Sequence, residues 1–275
     1  MLPLWRSEMR IVLCPDKVIL LGVSKGLRRK MTYQTILPCF PMPGAPAWQP
    51  ALNAIEHWLD VTDWRRSSAM VILSNHFVRY ALMPFSDEVA NAVEELTLAQ
   101  IMMEDTYGEI AKQWRLRITG GEYGEPRLIA AMDTALLDAI TEITTRTDIR
   151  LTSIKPYFMS AFNGFREQML ENDGMFALVE SGRIVLAIFK NKQLSGVRHM
   201  QLNDALNEQL PDLLLREISL NGLEPNELPV YLHVAEKPDF NLPSDSGLSI
   251  QVLRHMGKDE HWWNGDARFN MARAG

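Results

Sequence analysis

One succession of signals runs twice through this sequence: strand, strand, strand, helix, strand. The second pass is the more legible. Residues 174–180 and 183–190 are apolar runs parted by Ser181-Gly182, and Asn191-Lys192 turns the chain into residues 194–201. β-Branched and aromatic runs cut by Gly, Asn and Ser predict a three-stranded antiparallel meander. Residues 203–220 then predict a helix, kinked or started at Pro211, and residues 229–234 a buried strand. The first pass has strands at 10–14, 17–24 and 31–37, a helix over 49–60 and a strand at 69–73. Pro50 suits that helix's first turn, and Leu52, Ile55, Trp58 and Leu59 fall on one face. The proline-rich stretch PCFPMPGAPAW before it reads as an irregular connection. The passes lie roughly 160 residues apart and share element order, with almost no residues in common. A duplicated α/β unit predicts two lobes packed face to face around a cleft.

A different order, β-α-β-β, separates the passes. Residues 76–83 alternate as a strand that Pro84 ends. Residues 86–107 predict a long helix, with Ser86 as N-cap and Asp87 and Glu88 at the positive end of its dipole. Val89, Val93, Leu96 and Ile101 supply its apolar stripe, and Gly108 its stop. Strands at 114–119 and 127–132 flank a hairpin turn at Gly120–Gly124. A helix (134–146), a strand (150–155) and a helix (157–170) lead into the second pass, and 248–253 is a last strand. The expected domains are a first lobe (8–75 with 134–172), an inserted α+β subdomain (76–133), a second lobe (173–255) and a polar tail (256–275).

A net charge of −6 and a pI of about 5.6 argue against nucleic acid as a ligand, since phosphate binding needs a concentrated basic surface. The basic run Arg28-Arg29-Lys30, near Lys25, reads as a solvated turn. Cys14 and Cys39 each adjoin a proline and have no partner at metal spacing, so they read as reduced thiols of a cytoplasmic protein. A disulfide between them stays open. The N-terminal stretch carries Arg6, Glu8 and Arg10 and lacks a signal-peptide core. The longest apolar run, residues 18–23, is far too short for a bilayer, so membrane attachment would come through a partner.

No catalytic motif stands out. His199 and His233 lie on core strands with no acid or thiol at ligand spacing, which favours structural histidines over a metal pair. His255, Asp259, Glu260 and His261 lack the spacing of a helical zinc site. Glu94, Glu95, Glu104 and Asp105 read as an exposed helix face. Ser24-Lys25-Gly26 and Ser181-Gly182 do not form a nucleophile elbow. Trp262-Trp263, in a polar end, either anchors a partner or folds back on the body.

Five strings carry a resemblance: FVRYALMPFSDEVANAVEELTLAQIMMEDTYG (77–108), WRLRI (114–118), IAAMDTALLDAI (129–140), SIKPYFMSAFNGFR (153–166) and FALVESGRIVLAIF (176–189). With the duplicated order, they resemble the actin-like ATPase (RNase H-like) fold. The family they resemble is that of the pilus assembly protein PilM and the cytoplasmic part of the type II secretion protein GspL. The resemblance covers most of residues 8–255.

That resemblance implies a nucleotide site built from Gly-rich turns between the first two strands of each half. Here the first turn is Cys14-Pro15-Asp16-Lys17, where proline removes a donor and no glycine stands. The second, Glu180-Ser181-Gly182-Arg183, is too short to wrap a phosphate. His233-Val234-Ala235-Glu236 stands where an adenosine-side Gly-Gly is expected. Asp16, Lys17 and Glu180 therefore read as a degenerate nucleotide site. The implied function is a non-catalytic cytoplasmic scaffold, without cofactor, on a pilus or secretion platform of the inner membrane. Its partner would be an inner-membrane assembly subunit, and a homodimer stays open. By the family's layout the partner groove would include Arg79, Tyr80, Trp114 and Arg115, with Trp262 and Trp263 as further anchors. The alternative is a divergent ATPase or kinase-like enzyme using Asp16, Lys17 and Glu180 around a metal.

Overall fold

The protein is seen in a computed structural model that describes residues 7–24, 30–119, 122–169, 173–203, 206–222, 224–225, 228–237, 240, 242, 246–254 and 266–274. The chain runs β1 (Glu8–Leu13), β2 (Lys17–Ser24), β3 (Lys30–Pro38), α1 (Gln49–Asp60) and β4 (Ser68–Leu73). Next come β5 (Val78–Met83), α2 (Ala92–Tyr107), β6 (Trp114–Ile118), β7 (Arg127–Asp133) and α3 (Thr134–Arg146). β8 (Arg150–Pro156) and α4 (Tyr157–Met169) precede β9 (Gly174–Glu180), β10 (Arg183–Lys190) and β11 (Gln193–Gln201). α5 (Leu206–Leu220), β12 (Val230–Val234), β13 (Ile250–Val252) and α6 (Asn270–Arg273) follow.

The duplication is written into two sheets. One has the order β3-β2-β1-β4-β8, the other β11-β10-β9-β12-β13. In each, the first three strands of the chain pair antiparallel and the remaining two join in parallel. Even the irregularity repeats. β2 slips register against β3 between Gly22 and Val23, and β10 against β11 between Ile188 and Phe189, after the sixth residue of each strand. A bulge raises local twist, so the two edges are shaped alike without sharing residues. The halves differ between their fourth and fifth strands, where the first carries β5 to α3 and the second only residues 235–249.

The chain divides into two compact units. The first holds residues 1–78, 132–161 and 255–275. Its β1 and β2 are buried almost throughout, as strands covered on both faces must be. α1 buries Leu52, Ile55, Trp58 and Leu59, the face expected from its spacing. Trp58 joins Tyr33 and Trp64 in a cluster with ring centroids 5.5–5.8 Å apart, and its indole donates to the Tyr33 hydroxyl at 3.0 Å. A Cβ on Gly22 would stand 2.7 Å from the Trp64 ring, so β2 needs glycine there. Residues 266–274 do not trail as a polar tail. Phe269, Met271 and Ala272 are buried, and Arg10 of β1, itself 3% exposed, donates to the carbonyls of Ala272 (3.1 Å) and Arg273 (3.3 Å).

The second unit holds residues 79–131 and 162–254. On one face of its five-stranded sheet, Met175, Ala177 and Val179 pack with Leu210, Leu214 and Ile218 of α5. On the other, Phe176 meets Phe162 and Phe165 of α4 at 5.9 and 6.3 Å. α5 is continuous, with Pro211 inside it rather than at its start. A proline inside a helix costs about 3 kcal/mol, which the complete burial of Leu210, Leu214 and Ile218 offsets.

The same unit contains a three-stranded sheet of order β5-β7-β6 with α2 packed on it. α2 starts later than its sequence suggests. Asn91, not Ser86, is the N-cap and accepts from the amides of Val93 (3.0 Å) and Glu94 (3.1 Å), while Glu94 accepts from Ala90 N–H at 2.8 Å. This is a capping-box exchange, and it outcompetes Ser86, which serves a separate turn by accepting from Glu88 N–H. The helix is also rotated from the expected phase. Ala99 and Met103 are its buried residues, and Val93, Leu96 and Ile101 are exposed.

Candidate functional site

The first turn of the duplicated fold, in the first unit, is closed by its own backbone. Cys14 N–H donates to Lys17 C=O at 2.9 Å, and Cys39 N–H donates to Asp16 C=O at 2.7 Å. Pro15 has no N–H to offer. The Lys17 ammonium sits 3.5 Å from the exposed Asp16 carboxylate. Burial, with a smaller push from Asp16, raises the Cys39 thiol to about 11, so it stays protonated. Cys14 and Cys39 are both free thiols. Just beyond β4, buried Ser74 and Asn75 hold polar positions that the sequence did not flag. The Asn75 side chain accepts from Phe158 N–H at 3.2 Å, a cap for α4 delivered from another strand's end.

The matching turn in the second unit joins β9 to β10 through Ser181 and Gly182, with Gly182 at φ 73°. A two-residue hairpin loop of this kind favours glycine at positive φ. The Gly182 carbonyl accepts from Leu202 N–H at 3.0 Å. Beside it lies a cavity of about 120 Å³ whose polar lining comes from Glu180, Ser181, Asn203, Glu236 and Lys237. Glu180 is 7% exposed. Where the adenosine-side glycines were expected, His233 is buried and its Nδ1 lies 3.0 Å from Leu253 C=O. Burial pulls the His233 pKa to about 4, the carbonyl opposing it, so the ring is neutral at pH 7.

A third group gathers around β5, α2 and the β10–β11 pair, all within the second unit. Tyr107 meets Trp114 edge-on at 5.2 Å and stacks on His199 at 6.2 Å. The Arg79 and Arg183 guanidinium groups bear on both rings. They oppose the upward pull of burial on the Tyr107 phenol and add to burial in lowering His199 to about 4. Burial and the neighbouring Arg79 lower Arg183, with Glu180 opposing. Tyr80 is 4% exposed, and burial and Glu180 hold its phenol well above the ordinary range. Of the residues the sequence singled out, Arg79, Tyr80, Trp114 and Glu180 thus share a neighbourhood, and Arg115 stands exposed on β6. Tyr107 and Arg183 were missed. A two-residue hairpin already places Arg183 opposite Glu180, so that signal was readable.

Asp16 and Lys17 belong to the first unit and Glu180 to the second. Among the described residues no group of three His, Cys, Asp or Glu side chains is placed to hold a metal, and no helix is long and apolar enough to cross a membrane. Trp262, Trp263, the Lys25 to Arg29 run, Gly120-Gly121 and the His255 to His261 cluster lie outside the described residues.

No family model matches the sequence, and no curated protein sequence matches it either. Solved structures do. A Bacteroides thetaiotaomicron protein with an actin-like ATPase fold and unknown function is 10% identical with a TM-score of 0.61, over 98% of this chain and 95% of that one. The PilM–PilN type IV pilus biogenesis complex gives 16% identity and a TM-score of 0.64, over 97% and 96%. The cytoplasmic domain of EpsL, an inner-membrane component of the Vibrio cholerae type II secretion system, gives 11% and 0.57, over 98% and 94%. This chain has the actin-like ATPase fold. The resemblance to PilM and GspL read from the sequence therefore holds in three dimensions as a fold, and the first two strands of each half are joined by turns of two kinds, one proline-bearing and one only two residues long.

Proposed function

We propose that this chain is a non-catalytic actin-like scaffold on the cytoplasmic side of an inner-membrane pilus-assembly or secretion platform, where it binds a membrane-anchored subunit. The observation that carries this reading is the closed first turn. Its Cys14 and neighbouring Cys39 amides are committed to the carbonyls of Lys17 and Asp16, and Pro15 contributes none. Phosphate loops work by aiming free backbone N–H groups at oxygen. The platform assignment draws on the likeness to a PilM–PilN complex and to an inner-membrane secretion component.

Calorimetry with ATP and Mg²⁺ tests the non-catalytic part: no heat is expected, and micromolar binding or hydrolysis abolished by Glu180→Ala would establish the enzymatic alternative. Co-purification from native membranes tests the partner. A subunit of a pilus or secretion assembly is expected with the wild-type chain and reduced with Arg79→Glu or Arg115→Glu.

A further inference from the structure

The outward face of α2 has no partner within the described residues, although it is apolar. Val93, Leu96 and Ile101 are 74%, 48% and 52% exposed. Val93, Thr97 and Ile101 recur every four residues, so they form one stripe about 12 Å long at 1.5 Å per residue. The stripe is bordered by acid. α2 contains Glu94, Glu95, Glu104 and Asp105 and not one Lys or Arg. Glu95 is engaged by Arg127 at 2.9 Å and Glu94 accepts from Ala90 N–H and the Asn91 side-chain amide at 2.8 Å each; Glu94 and Asp105 are exposed beside the stripe and keep their negative charge.

We propose that this stripe docks a Lys/Arg-rich amphipathic helix that flanks a membrane span of a partner subunit. The inference rests on the platform role proposed above and adds the contact surface and the chemistry of the occupant. An apolar stripe takes the i, i+4 anchors of a facing helix, and its acidic border selects a basic one. Segments next to a span on the cytoplasmic side are rich in Lys and Arg. A second copy of this chain fits poorly, because α2 against α2 sets acid against acid in either orientation. The anionic cytoplasmic leaflet is repelled for the same reason.

The test places p-benzoylphenylalanine at the exposed Thr97 of the full chain, crosslinks in native membranes and maps the joined peptide. The expected product is a Lys/Arg-rich segment adjoining a membrane span. That segment, as a labelled peptide, should bind the purified chain, weaken about tenfold with Ile101→Asp, weaken with Asp105→Lys, and weaken with added salt. These positions are exposed, so the urea midpoint should not move. A crosslink to a second copy, to lipid or to an acidic segment overturns the proposal, as does peptide binding unchanged by Ile101→Asp. No crosslink from Thr97 while the chain still co-purifies with the platform sinks this surface and leaves the scaffold role standing.

Discussion

Arg10→Met is the sharpest probe of how the first unit holds its C-terminal segment. The guanidinium is 3% exposed and donates to Glu8 at 3.2 Å and to the Ala272 and Arg273 carbonyls at 3.1 and 3.3 Å. Methionine keeps most of the apolar stem, so the loss isolates the polar bonds. A bond to a charged group contributes about 1.5–3 kcal/mol, and removing one member of a buried ionic set costs about 3–5 kcal/mol because its partners are stranded. Two carbonyls and a carboxylate lose this donor here, so about 3 kcal/mol is expected. At about 1.4 kcal/mol per tenfold, that lowers hydrogen-exchange protection in β1 by about a hundredfold. Deleting residues 266–275 should remove the same contact, so the substitution and the deletion should be strongly non-additive. Protection in β1 falling less than about threefold, or costs that simply add, would refute the reasoning.

Three further outcomes follow from single positions. Gly174→Ala should cost about 1–3 kcal/mol by overpacking, because the new Cβ would stand 2.7 Å from the Tyr231 ring and 2.9 Å from Phe189; urea denaturation measures it. His233 titrates at about 4 when folded and near 6.5 when unfolded, so the unfolded chain takes up the proton first. Stability is therefore lost as pH falls from about 6.5 to 4, by about 3 kcal/mol in all, and His233→Gln should flatten that slope in the exchange of β12 amides. Cys39, buried and raised to about 11, should resist alkylation at pH 8 in the folded chain and react promptly in urea.

Strand order was legible because its signals are local. The meander from 174 to 201 predicts two tight turns and three strands, and β9 and β10 end where the sequence said they would. The parallel pairings β1–β4 and β9–β12 were not read from the sequence, although the helix standing between the strands permits them, since a parallel partner needs a crossover. In the first turn the proline and the missing glycine were local and readable, whereas the Cys39 amide that donates to Asp16 C=O arrives from beyond β3 and was not.

What was not legible depends on partners far away in sequence. Arg10 looked like an ordinary strand residue because the carbonyls it binds are 262 and 263 positions distant. Ser86 and Asn91 are both acceptable caps, and only the Glu94 side chain reaching back to Ala90 and Asn91 separates them. The phase of α2 is the instructive case. Periodicity reports that a helix has an apolar stripe and does not say what the stripe faces. Val93, Leu96 and Ile101 were the larger residues and seemed the core. The sheet of β5, β7 and β6 instead presents Leu116, Ile129 and Ala131, and it takes the compact Ala99 together with the pliable Met103. A bulky stripe left outside by such a choice is not a failure of packing. Under the docking proposed above it is the part of the pattern left for another molecule, and Ile101→Asp should change association while leaving the fold unmoved.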